Sequence, residues 1–177
     1  MGFKNSGNDF SKIEPAGASS LIPAGGYVAV IKSVEDVESK EYLRFTYDIA
    51  EGQQKGFFAD DEREYTHQFT RSYKEKALPF MSQFLRFVEA SNSGFNLAAW
   101  NNDPNDLVGK LVGVVIQRED YTNRDGEDRV RMNVEGFASA EDIRNGRFKM
   151  PEPKDSREKK EAPKEAQGSV YDADIPF

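Results

Sequence analysis

Five short β-rich segments, with one amphipathic helix inserted between the third and the fourth, predict an all-β protein: a five-stranded Greek-key barrel of OB-fold type. A long polar stretch after residue 150 predicts a disordered C-terminal tail behind it. An SH3-like barrel would usually lack the inserted helix, and a split βαβ sheet would need a second long one. The sequence offers no such second helix.

The first 24 residues, rich in Gly, Ser, Asn and Ala, form a predicted N-terminal arm, partly ordered by docking Phe3, Phe10, Ile13, Leu21 and Ile22. The barrel domain is expected over residues 25–149. Its first strand is the β-branched run 27–34, which follows the turn residues Pro23, Gly25 and Gly26. The second, 41–49, alternates cleanly: Leu43, Phe45, Tyr47 and Ile49 share the core face, and Tyr42, Arg44, Thr46 and Asp48 the other.

A polar loop with Phe57 and Phe58 spans 52–64, and the third strand is expected at 65–71. Alternation alone leaves open which face of that strand points inward, so Phe69 is either core or ligand face. From residue 77 to 90 the period changes to that of a helix: Met81, Phe84, Leu85 and Val88 recur on one side, Pro79 sits in the first turn, and Asn92 and Gly94 mark the end. Trp100, the sole tryptophan, is assigned to packing. The most apolar run, 111–116, opens the fourth strand, which continues to Tyr121 and turns at Asn123 to Gly126 into the fifth strand, 129–137. Ser139 to Asp142 has the spacing of a capping box and opens a short helix that stops at Asn145 and Gly146.

Composition narrows the chemistry. With no cysteine, the chain has no disulfide framework and no thiolate nucleophile or metal ligand. It has one histidine, no glycine-rich phosphate loop and no nucleophile elbow, so neither an enzyme nor a bound cofactor is expected. The carboxylates at Asp60, Asp61, Glu62 and Glu64 are the only basis for a magnesium-dependent nuclease, and they read better as a solvated loop. The turn at 123–126 is not a calcium loop, because aligning Gly126 to the required glycine puts Tyr121 and Met132 at ligand positions. No apolar run reaches membrane length and no signal segment is evident, which predicts a cytoplasmic protein with no membrane partner.

The net charge is −7, and residues 1–149 alone hold 19 basic against 24 acidic side chains. A nucleic-acid surface must therefore be a local basic groove on an acidic body. The aromatic and cationic side chains that interleave on the predicted ligand strands are Tyr42 and Arg44 on strand two; Phe69, Arg71, Tyr73 and Lys74 on strand three and its exit; and Tyr121, Arg124, Arg129 and Arg131 on the hairpin. Such a set suits single strands, because rings stack on any base and cations follow the phosphates. Nearby acids, Glu119, Asp120, Asp125, Glu127 and Asp128, offset some of the hairpin's charge.

Beyond the barrel, residues 150–170 form the predicted disordered linker, which after Met150 is rich in Pro, Lys, Glu, Ala, Gln and Ser and has no aliphatic or aromatic residue larger than Ala until Val170. Residues 171–177 form an acidic, apolar tip. In it Asp172 and Asp174 precede Ile175, Pro176 and Phe177, a combination that suits a small apolar pocket rimmed by cations. This ending closely resembles the tip of bacterial and phage single-stranded DNA-binding proteins. The resemblance implies an OB-fold that coats single-stranded DNA in replication, recombination and repair. It also implies a tail that recruits partner enzymes such as a polymerase, helicase, primase or recombinase mediator, and possible homo-oligomers. The same residues leave two other readings open, a protein-protein adaptor and a phage strand-annealing recombination protein.

Overall fold

The computed structural model describes residues 21–158, which form a mostly antiparallel sheet with one long helix. The strands are β1 (Gly25–Val37), β2 (Tyr42–Ile49), β3 (Gln68–Ser72), β4 (Leu111–Thr122), β5 (Asp128–Ala138) and β6 (Lys154–Ser156). Helix α1 (Leu78–Ser91) lies between β3 and β4, and the short α2 (Ala140–Arg144) follows β5. Hydrogen bonding runs β3-β2-β1-β4-β5, and β6 joins β4 in parallel.

Strand β1 is the hub. Its first half pairs with β4, Gly25 opposite Ile116, and its second half with β2, Val37 opposite Tyr42. A register shift between Ile31 and Ser33 bends the strand, so one segment serves two directions of sheet. The core lies on the side predicted for β2: Phe45, Tyr47 and Ile49 are buried with Ile31, Val112, Val114 and Ile116.

Helix α1 covers this core with Met81, Phe84, Leu85 and Val88, and Pro79 occupies its first turn, where no donor is lost. Burying four such side chains contributes on the order of 6–12 kcal/mol before entropy is counted. Asn92 stops the helix and fastens it. Its Nδ2 donates to the carbonyls of Val88 (2.7 Å) and Leu111 (2.8 Å), and its Oδ1 accepts from the Leu111 amide at 2.9 Å. Trp100 packs edge-on against Phe95 at 5.7 Å, and its indole donates to the Asp103 carbonyl.

The two outer strands meet through rings. No ladder joins β3 to β5 among the described residues, yet Phe69 and Phe137 stand 4.9 Å apart between centroids. On the other side of the sheet α2 rests on glycine. A Cβ at Gly113 would lie 2.6 Å from Ile143 and 2.7 Å from the Ala138 carbonyl oxygen, so any side chain there displaces the helix.

Two expectations change. The third strand begins at Gln68, because residues 64–67 wind into a 3₁₀ turn. The segment from residue 150 does not start as a free linker: Lys154, Asp155 and Ser156 pair with Glu119, Asp120 and Tyr121. Strand β4 outruns β1 beyond Ile116, and the edge left open there takes up the polar backbone of β6.

Candidate nucleic-acid interface

The hairpin of β4 and β5 is set by Asn123. Its side-chain oxygen accepts the amides of Asp125 and Glu127, and Gly126 supplies the positive φ of 79° that the turn requires. Above the turn the register brings Tyr121 opposite Arg129 and Glu119 opposite Arg131. The Arg131 guanidinium lies over the Tyr121 ring, 4.2 Å from its centroid.

Glu119 holds it there. This buried carboxylate accepts from Arg131 Nε at 2.7 Å and from Asn133 Nδ2 at 2.7 Å. The Arg131 bond, followed by one from Ser156, holds the Glu119 pKa down to about 2 against its burial. Arg131 engages through Nε and its side chain remains half exposed, so its terminal nitrogens are presented outward.

Loop residues 61–66 form the facing wall. Asp61 accepts from the Arg63 amide (2.9 Å), from Arg63 Nε (3.0 Å) and from Thr66 Oγ1 (2.8 Å). These bonds, led by the Arg63 side chain, hold its carboxyl well below the usual range. The loop is anchored from beneath by buried Asp48, whose Oδ1 accepts the amides of Ile49 and Phe58. The Phe58 ring in turn stacks on His67 at 4.8 Å. On this base Tyr65 stands 74% exposed, the most exposed of the large apolar or aromatic side chains in the described body.

Between the walls is a cleft of about 580 Å³ lined by Arg63, Tyr65, Tyr121, Arg129, Arg131 and Asn133. Three of the predicted ligand residues, Tyr121, Arg129 and Arg131, therefore share one concavity. Arg129 donates to Glu127 at 2.7 Å, and Arg124 is exposed at the hairpin tip. Arg63 and Tyr65 are additional members. The available sequence signal was Asp61, Arg63 and Thr66 at the spacing of a side-chain-closed turn.

A second cluster sits at the exit of β3. Arg44 donates to Glu35 at 2.7 Å and to the Tyr42 hydroxyl at 3.0 Å, with its guanidinium 5.6 Å from the Tyr42 ring centroid. The Tyr73 hydroxyl donates to Asp36 at 2.7 Å, which pushes its pKa up to about 12, and Lys74 is exposed beside it. The five residues of β3 separate this cluster from the cleft, a span of about 15 Å at strand rise.

Phe69 and Arg71 must be reassigned. Their cross-strand partners are Phe45 and Leu43, so both lie on the core face of the sheet. Phe69 is 8% exposed and stacked on Phe45 at 4.9 Å, with no face left for a base. Arg71 lies over Phe137 at 4.9 Å and donates to the Phe80 carbonyl, while its buried Nε has no hydrogen-bond partner. It seals the meeting of β3 and β5. Asp172, Asp174, Ile175, Pro176 and Phe177 lie outside the described residues.

Among the described residues no cluster of three His, Asp or Glu side chains has metal-binding geometry, and Asp61 is committed to its turn. No helix among them is long and apolar enough to cross a membrane. Residues 8–143 match the model of a family described as a protein of unknown function (DUF669). No curated protein matches the sequence.

Proposed function

Since the chain belongs to the DUF669 family, whose description assigns no activity, we propose a function from the site itself: the protein binds single-stranded DNA without sequence preference. One observation carries the reading. Two tyrosines and three arginines, on two independently braced walls, line a single cleft. Rings in such a place stack on bases of any identity, and the arginines meet phosphates as they pass.

The strand order, with α1 between β3 and β4, supports treating the sheet as an OB-fold. In this reading the body coats single strands during replication or recombination, and the C-terminal tip draws partner enzymes to them. Stacking on two tyrosines contributes about 2–6 kcal/mol, below the roughly 8 of micromolar affinity, so phosphate contacts supply the rest. Binding then weakens with salt, with a logarithmic slope of about −0.7 per phosphate neutralised.

The deciding experiment titrates a thymine oligomer and an equal mass of duplex into the full chain, following Tyr and Trp fluorescence at two salt concentrations. Saturable, salt-sensitive binding preferring the single strand supports the proposal; indifference to both DNAs overturns it. An adaptor role is the second reading. It is favoured by an apolar recess of about 630 Å³ between α1 and residues 97–104, where Leu78, Met81, Leu85 and Trp100 face one another.

A further inference from the structure

Each arginine that lines the cleft is answered by a carboxylate, and burial sorts the three pairs. Asp61 binds Arg63 through Nε and Nη2, at 3.0 and 3.3 Å, and also closes its own turn by accepting the Arg63 amide and Thr66 Oγ1. Glu119 accepts Arg131 Nε at 2.7 Å with its side chain only 6% exposed. Glu127 accepts Arg129 Nη2 at the same 2.7 Å, yet its side chain is 56% exposed and that of Arg129 55%. Equal lengths conceal unequal bonds. Withdrawing Arg131 leaves a buried charge without its cation, whereas water replaces either member of the Glu127–Arg129 pair at little cost. The hairpin turn does not depend on that pair, because the amides of Asp125 and Glu127 close it on Asn123 Oδ1. Asn123 Nδ2 in turn donates to Glu127 Oε1 at 3.1 Å and aims the carboxylate at Arg129.

We propose that Glu127 is a built-in competitor for the DNA phosphate, occupying Arg129 while the cleft is empty and yielding it when a strand enters. A guanidinium receives a carboxylate and a phosphate through the same N–H groups, so the two anions compete for Nη2 of Arg129. Tethered by the turn, Glu127 stands at a local concentration that an isolated small anion in solution does not match. A strand does match it. Once Arg63 and Arg131 hold neighbouring phosphates, the next one reaches Arg129 at a comparable local concentration and takes the arginine over. The pair therefore favours a polyanion that spans the cleft over a single phosphate that touches one side of it.

The inference rests on the DNA-binding reading, and two probes separate them. The full chain is compared as wild type, Glu127→Gln, Asp125→Asn, Arg129→Ala and the Glu127→Gln/Arg129→Ala double variant. Gln keeps an oxygen for Asn123, and Asp125→Asn removes an equal charge from the same turn while leaving Arg129 its carboxylate. The first probe is a thymine oligomer, read as affinity; the second is inorganic phosphate, read as the NMR shift of the Arg129 side chain. E127Q is expected to gain about two- to fivefold in oligomer affinity, the strength of an exposed ion pair. D125N gains less, and E127Q adds nothing once Arg129 is Ala. With phosphate, the Arg129 resonance moves at a lower concentration in E127Q than in wild type or D125N. An equal gain in the R129A background or in D125N overturns the competition, since the charge then acts through the general field and not through Arg129. If the wild type binds no oligomer, the functional reading falls and the phosphate titration alone decides: an Arg129 response equal in E127Q and wild type overturns the inference.

Discussion

Replacing Tyr65 by Ala separates binding from folding. Three-quarters of this side chain is exposed on a loop whose shape is set by Asp61 and Asp48, neither of which depends on the ring. Removing it therefore leaves stability within about 0.5 kcal/mol, the range of ordinary surface changes. If the ring stacks on a base, its loss costs about 1–3 kcal/mol of binding, a fall of roughly 5- to 150-fold in affinity. The assay is a thymine-oligomer titration at fixed salt, with a urea melt of the same preparation. Tyr42→Ala is the comparison, since that ring is engaged by Arg44 and lies in the second cluster, about 15 Å away at strand rise. Unchanged affinity in Y65A would refute the cleft as the place where bases stack. A loss accompanied by a large drop in the urea midpoint would refute the claim that Tyr65 is free of structural duty.

Four further outcomes follow from the same geometry. Arg131→Ala shallows the salt dependence of binding by about 0.7 in logarithmic slope, the share of one phosphate, which titrations at three salt concentrations measure. Asn92→Ala removes two hydrogen bonds to Leu111 of β4 and one to Val88 of α1 and strands part-buried partners, lowering unfolding free energy by about 2–4 kcal/mol in a urea melt. Gly113→Ala is more damaging than Gly94→Ala, because a Cβ at 113 meets backbone at 2.7 Å while one at 94 meets nothing within 4 Å; thermal melts rank the two. Burial lowers the His67 pKa below its ordinary 6.5, so the unfolded chain binds a proton more readily. Stability is full above pH 6.5 and falls as pH drops from there toward the folded value, a slope that His67→Gln removes from melts across that range.

Much of the sheet was legible because its signals are local. The alternation of β2, the helical spacing of Met81, Phe84, Leu85 and Val88, and the turn residues at 123–126 each follow from a few neighbouring side chains. The orientation of β3 was not legible. Both faces carry plausible residues, and only its pairing with β2, which sets Phe69 against Phe45, decides that the ring goes inward. Strand β6 left no trace, since Lys154, Asp155 and Ser156 contribute backbone to a vacant edge and bury no side chain. The cleft was half visible: the hairpin residues stood out by type, but Tyr65 sat in a stretch that reads as a strand. Glu119 looked like a charge that merely offsets the arginines, whereas burial makes it the group that orients one of them.

The meeting of β3 and β5 through Phe69, Phe137 and Arg71 has a mechanical consequence. A hydrogen-bonded ladder resists shear along its whole length, because many bonds must break together. Rings slide and separate contact by contact, at a fraction of that force. The β3–β5 meeting is therefore a line of low resistance to shear, along which the two outer strands can part while every other strand keeps its hydrogen-bonded neighbours.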